Sequence, residues 1–138
     1  TIFFRNLSQI NKNTVIEDDV FLNIIRDAFY NLEELNSEII GFWRDWLGLY
    51  VARLEQEATT NEEREKLMNS VNPKYVLRNY MSQMAIDKAE NGDYTLIEEL
   101  HELLKQPYTE QPKFEKWFAK RPEWARHKVG CSMLSCSS

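Results

Sequence analysis

Cysteine is scarce: Cys131 and Cys136, both within the last eight positions, are the only two in 138 residues. Two thiols at one end cannot hold a fold together, which excludes a disulfide-stapled secreted scaffold. Four glycines and four prolines exclude collagen-like, low-complexity and linker-dominated chains. Long apolar runs are missing, so no segment reads as membrane-spanning. Basic charge is in deficit, 17 Lys+Arg against 22 Asp+Glu for a net charge of −5, which argues against a nucleic-acid partner. Neither form of phosphate loop occurs (G-x-x-x-x-G-K-[ST] or G-x-G-x-x-G), nor does H-E-x-x-H or G-x-S-x-G. No window alternates apolar and polar residues, so no sheet is expected. The first residue is Thr1, and no basic stretch followed by an apolar one opens the chain. That beginning reads as a processed N-terminus or as a piece of a longer chain.

What remains is helical patterning. The sequence predicts an all-α fold, an irregular bundle of about five to seven helices over residues 1–128, with a mobile cysteine-containing tail over 129–138. Phe3, Leu7 and Ile10 have the spacing of a short helical turn. Glu17-Asp18-Asp19 then leads into Val20, Phe21, Ile24, Ile25 and Ala28, an amphipathic helix over 18–30. A longer helix begins near Asn36 or Ser37, with apolar residues from Ile39 to Leu54 at 3/4 spacing. Gly41 and Gly48 lie inside it and suggest close approach of another element. Trp43, Trp46 and Tyr50 read as core packing, with a ligand-stacking platform as the alternative.

Thr60 and Glu63 form a capping box for a helix ending near Asn69. Asn72-Pro73 reads as N-cap and first turn of a helix over 73–90, with Leu77, Tyr80, Met81, Met84 and Ala85 inward and Asn91-Gly92 as its stop. Thr95 and Glu98 form a second capping box before Leu96, Leu100, Leu103 and Leu104, and Pro107 ends that helix. Short helices follow over 112–120, with Phe114, Trp117 and Phe118 inward, and after Pro122, with Trp124.

Charge is uneven: residues 1–110 carry net −9 and residues 111–138 net +4. The basic segment is either a solvated face or a surface that docks on an acidic partner. The acidic pairs Asp18/Asp19, Glu33/Glu34, Glu62/Glu63 and Glu98/Glu99 are neighbours in sequence. On a helix such neighbours diverge by about 100°, so they read as caps and solvated faces, not as an acid/base dyad. His101 falls on a polar helix face. His127, Cys131 and Cys136 make an H-x3-C-x4-C set, short of the four ligands a structural zinc usually has. The reactive chemistry in view is the pair Cys131 and Cys136, where Arg126 and Lys128 nearby favour the thiolate. An inert tail cysteine is the alternative for each.

Several ordered motifs resemble one family. Asn72-Pro73-Lys74-Tyr75-Val76-Leu77-Arg78-Asn79-Tyr80 is similar to the N-P-K-[YF]-[VI]-L-R-N-[YW] motif of the YdiU/selenoprotein O family. Glu90-Asn91-Gly92-Asp93-Tyr94 resembles its A-x-x-G-D-[YF] turn, and Pro107-Tyr108 with Glu110-Gln111-Pro112 its P-[YF]-x-[ED]-Q-P run. Thr1-Ile2-Phe3-Phe4-Arg5 resembles its [DE]-[YF]-T-x-[FL]-F-R segment, and Ser135-Cys136-Ser137-Ser138 its terminal x-[CU]-S-S. The resemblance covers essentially the whole chain.

The resemblance implies a C-terminal fragment of a longer protein with an upstream kinase-like domain. Such proteins bind ATP with Mg²⁺ and transfer AMP to Ser, Thr or Tyr hydroxyls of protein substrates. It implies no catalytic, cofactor-binding or metal-binding residue in this chain, whose partners would be the upstream domain and the parent's substrates. It marks Cys136, at the position some members fill with selenocysteine, as a redox-regulatory residue that pairs with a cysteine of the kinase-like domain. Cys131 matches no position of the family. Arg78 and Asn79, inside the first motif, are candidates for docking on the upstream domain, with an internal hydrogen-bonding role as the alternative. The cysteine at the [CU] position and the missing export signal point to a bacterial cytoplasm. Two rival readings are a standalone helical interaction module with no enzymatic role and a small dithiol redox protein using Cys131 and Cys136.

Overall fold

A computed structural model describes residues 1–14, 26–29, 31–32 and 35–131. All regular structure among the described residues is helical, in keeping with the all-α expectation. The α-helices are α1 (Ile2–Leu7), α2 (Ser37–Glu55), α3 (Asn61–Val71), α4 (Asn79–Ala89) and α5 (Thr95–Leu104). Short 3-10 segments occupy Arg26–Ala28, Pro112–Trp117 and Glu123–Arg126. The chain divides into two compact units, Thr1–Asn72 and Pro73–Ser138. Among the described residues no helix is long and apolar enough to cross a membrane.

The first unit is built on α1, α2 and α3. Of the helix expected over 18–30, most lies outside the described residues, and Arg26–Ala28 is a single 3-10 turn. α2 starts where its cap signal places it: the Asn36 side-chain oxygen accepts from the Ile39 N–H at 2.9 Å. Leu47, Val51 and Leu54 are its buried positions. Leu47 and Val51 join Leu7 and Ile10 in a core flanked by Phe3, Phe29, Trp43, Tyr50 and Met68. Among the described residues no element makes the expected close approach to Gly41 or Gly48: a β-carbon at either would meet nothing within 4 Å. The Thr60–Glu63 capping box forms as expected, with Glu63 N–H to Thr60 Oγ1 at 3.2 Å and Thr60 N–H to Glu63 Oε2 at 3.0 Å.

Two buried arginines join α1 to α3. Arg64 of α3 donates to the carbonyls of Ser8, at 2.9 Å, and Ile10, and to the Tyr50 hydroxyl at 3.2 Å. Arg5 of α1 donates to the carbonyls of Asn69, at 3.0 Å, and Asn72, at 3.3 Å. The last carbonyls of a helix have no partner within it, and a cation there also suits the helix dipole. Arg64 therefore satisfies buried backbone acceptors, and Arg5 satisfies half-buried ones at the end of α3.

The second unit corrects the expected helix over 73–90. Asn72 does not open that helix; it closes α3, with its side-chain amide donating to the Met68 carbonyl at 2.8 Å. Lys74 and Tyr75 then send their backbone N–H groups to one acceptor, the Pro107 carbonyl, at 2.8 and 3.0 Å. Those bonds hold the segment out of helix until Asn79, and Leu77 is left exposed instead of joining the inward stripe. Within α4, Tyr80, Met81 and Ala85 are buried as expected. Gly92 takes φ +79 in the turn after α4, where its lack of a β-carbon removes the strain.

Thr95 is the first residue of α5 and not its N-cap. Asp93 instead accepts from the Thr95 N–H at 3.0 Å and from its hydroxyl at 2.6 Å. A charged acceptor in this position displaces the expected Thr95–Glu98 box. Leu96, Leu100 and Leu103 face inward. The expected helix over 112–120 is a 3-10 segment that ends at Trp117, with Phe114 and Trp117 buried. One core joins α4, α5 and both 3-10 segments and includes Tyr75 and Cys131. Cys131 is only 3% exposed, contrary to its expected place on a solvent-reaching tail. Gly130, at φ +86, turns the chain so that Cys131 points in, and a β-carbon at Gly130 would collide with the Gln83 side chain.

Candidate functional site

The residues singled out by sequence fall in different settings. Cys136 lies outside the described residues. Arg78 is the N-cap of α4, with φ −102 and ψ 150, and its carbonyl accepts from Met81 N–H at 2.9 Å and Ser82 N–H at 3.2 Å. Asn79 is the first residue of that helix, and both side chains are half-buried. Their places follow from the extended segment before them, which ends where α4 begins. His101 and His127 are exposed.

Sequence spacing did not reveal the polar constellation around Lys74. Lys74, 8% exposed, places its ammonium 2.6 Å from Glu110 Oε2 and 2.7 Å from Glu115 Oε2. The same nitrogen lies 4.9 Å from the centre of the Phe118 ring, a cation–π arrangement. Tyr75, 1% exposed, donates its hydroxyl to the Gln111 carbonyl at 3.1 Å. The Gln111 amide in turn donates to the carbonyls of Leu103 and Gln106, at 3.0 and 2.9 Å, and so caps the end of α5. Thus the Pro73-Lys74-Tyr75 segment and the Pro107 to Pro112 segment clamp one another. The first supplies two N–H groups, a cation and a phenol. The second supplies a carbonyl, a carboxylate, a capping amide and, in Pro112, the first residue of a 3-10 segment.

The charges agree with a structural clamp. Burial draws the Lys74 ammonium toward its neutral form, but the hydrogen bonds to Glu110 and Glu115 outweigh that and hold its pKa above the ordinary 10.5. Burial holds the Tyr75 phenol above 10.0, in part against the pull of Lys74. Burial also pushes Glu99 upward, but its contacts with Lys116 and with the Trp117 indole N–H, each at 2.6 Å, bring it below the usual value. The Thr95 hydroxyl and the Lys88 ammonium keep Asp93 well below the usual carboxylate range. Every one of these shifts favours the form already engaged in an internal contact.

Among the described residues no group of three or more His, Cys, Asp or Glu side chains could hold a metal ion. Glu110 and Glu115, the two carboxylates that do converge, do so on Lys74. That donor set does not fit Mg²⁺.

Comparison with known proteins accounts for these motifs. The family model described as "Protein adenylyltransferase SelO" matches residues 1–105. This chain belongs to that family. It is 54% identical over its whole length to a protein nucleotidyltransferase YdiU of Flavobacterium johnsoniae, of which it covers 26%. It is 46% identical to the YdiU protein of Aromatoleum aromaticum and 43% identical to that of Rhodopirellula baltica, again over its whole length, covering 25% and 27% of them. The chain therefore spans about a quarter of the length of these relatives. Two of the SelO-type motifs quoted from the sequence, the Asn72-Pro73-Lys74-Tyr75 run and the Pro107 to Pro112 run, are the two halves of the clamp.

Proposed function

We propose that this chain is an accessory and regulatory C-terminal part of a protein adenylyltransferase. The observation that carries the reading is a family likeness along the whole chain that accounts for only about a quarter of each relative. The internal commitment of the motif side chains supports it: Lys74, Tyr75, Glu110 and Gln111 are engaged with one another and with backbone groups in holding the fold. In this reading ATP and Mg²⁺ belong to the upstream kinase-like part of the parent, which transfers AMP to Ser, Thr or Tyr hydroxyls of proteins in the bacterial cytoplasm. This chain packs on that part, with Arg78 and Asn79 as docking candidates, and the stretch that follows the buried Cys131 carries Cys136.

Cys136 is the regulatory residue in this proposal. Its thiol and a thiol of the upstream part join as a disulfide. Two protons and two electrons pass to a peroxide, which is reduced to two waters if it is hydrogen peroxide or to an alcohol and one water if it is organic. The test is calorimetric titration of Mg-ATP into the parent and into this chain, with AMP transfer to protein measured in parallel. The parent is expected to bind and transfer, and this chain alone to do neither; micromolar binding by this chain would sink the division of labour. In the parent, Cys136→Ser is expected to abolish the peroxide sensitivity of transfer, and unchanged sensitivity would remove the redox role.

A further inference from the structure

We infer that the outward face of α2, formed by Ile39, Phe42, Trp46 and Leu49, is the seat of the upstream part of the parent polypeptide. The inference rests on the reading above and gives it a surface. α2 is apolar on two sides. Its inward stripe, Leu47, Val51 and Leu54, is buried in the core of the first unit. The second stripe steps by three, four and three residues, which at about 100° per residue keeps all four side chains within about 80° of one another. Phe42 is 67% exposed, Leu49 73% and Trp46 41%. A helix with two apolar sides needs two partners, and the first unit's own core supplies one of them.

The second stripe also borders a shaped recess. Phe3, Ile39, Phe42, Trp43 and Trp46 line a groove of about 540 Å³. Its walls are fixed by ring packing: Phe3 lies 5.6 Å from Trp43 and 6.2 Å from Trp46, and Trp46 stacks on Tyr50 at 5.6 Å with planes 7° apart. A contiguous exposed aromatic surface of this kind marks an interaction site.

The occupant follows from two facts. About three quarters of each relative lies outside the matched region. Thr1 leads directly into α1, whose Phe3 lines the groove and whose Phe4 is 48% exposed beside it, so polypeptide joining at Thr1 arrives next to the recess.

The experiment uses the full-length parent with the photoreactive amino acid benzoylphenylalanine in place of Phe42, and in a second protein in place of Leu67, an exposed residue of α3. Illumination is followed by mapping of the cross-linked peptides. The expected result is adducts from position 42 to the upstream part, in excess over those from position 67. Adducts to residues 1–131 of this chain, adducts between two copies, or no excess over position 67 would each overturn the assignment. AMP transfer by the same protein is read separately. Loss of transfer with the expected adducts would count against the enzymatic reading alone, and transfer without them against this surface alone.

Discussion

The two units solve the same problem in different ways. The second encloses its apolar residues: α4, α5 and two 3-10 segments converge on Tyr75, Met81, Leu103, Phe114 and Trp117, and its buried cation meets two carboxylates. The first is open. Its described core is compact, its buried cations serve backbone carbonyls, and its longest helix turns a second apolar stripe outward. A closed unit explains its own sequence, whereas an open one carries residues whose reason lies in another part of the protein. That contrast separates motif residues that hold the fold from apolar residues that await a partner.

The largest expected effect breaks the closed side. Trp117→Ala should cost about 3–5 kcal/mol, because it empties a buried site and removes the indole donor to Glu99. Urea unfolding of the chain checks this, and a loss under 1 kcal/mol would show that the core tolerates the hole. Lys74→Met keeps most of the buried stem but deletes the charge-assisted bonds to both glutamates, for an expected loss of about 1.5–3 kcal/mol.

The pH profile sharpens the same point. Lys74 and Tyr75 have folded pKa values above their ordinary 10.5 and 10.0. Their contribution is complete below those unfolded values and is lost as pH rises through the folded ones. Stability of the native chain should therefore fall above about pH 10, and Tyr75→Phe, which removes the phenol and with it part of the support for the Lys74 charge, should flatten that fall. An unchanged alkaline slope in the variant would count against the clamp. The smallest effect belongs to the open side: Phe42→Ser should change the stability of this chain by less than about 0.5 kcal/mol, because the ring is already mostly in water. A large loss there would mean that the outer stripe is part of the unit's own core.

Local signals were the legible part of the fold. Asn36, Thr60 and Gly92 each act where their short-range chemistry places them, because a cap or a positive-φ turn needs only neighbours in sequence. Some departures sit where distant residues intervene, and others where a near neighbour overrides the expected signal. Asn72-Pro73 carries the same signature for opening a helix as for closing one, and the Pro107 carbonyl decides between them. Thr95 loses its capping role to the stronger acceptor two residues before it. Lys74 and Glu110, 36 positions apart, cannot be paired by spacing. Cys131 sits in a small, polar, non-periodic stretch, and its burial comes from the turn at Gly130. The family motifs located the clamp without revealing its purpose, and the candidate thiol Cys136 falls outside the described residues.

The clamp also bears on where this protein can be cut. Likeness to the family model stops at residue 105. Glu110, Gln111, Glu115, Phe114, Trp117 and Cys131 all come after that point, yet they seal the same interior as Tyr75 and Met81. A boundary drawn at the end of that match would therefore pass through the middle of a packed unit, although likeness to the YdiU relatives runs on through residue 138. A protein shortened there would keep both of its long C-terminal helices and lose the lid that makes them a domain.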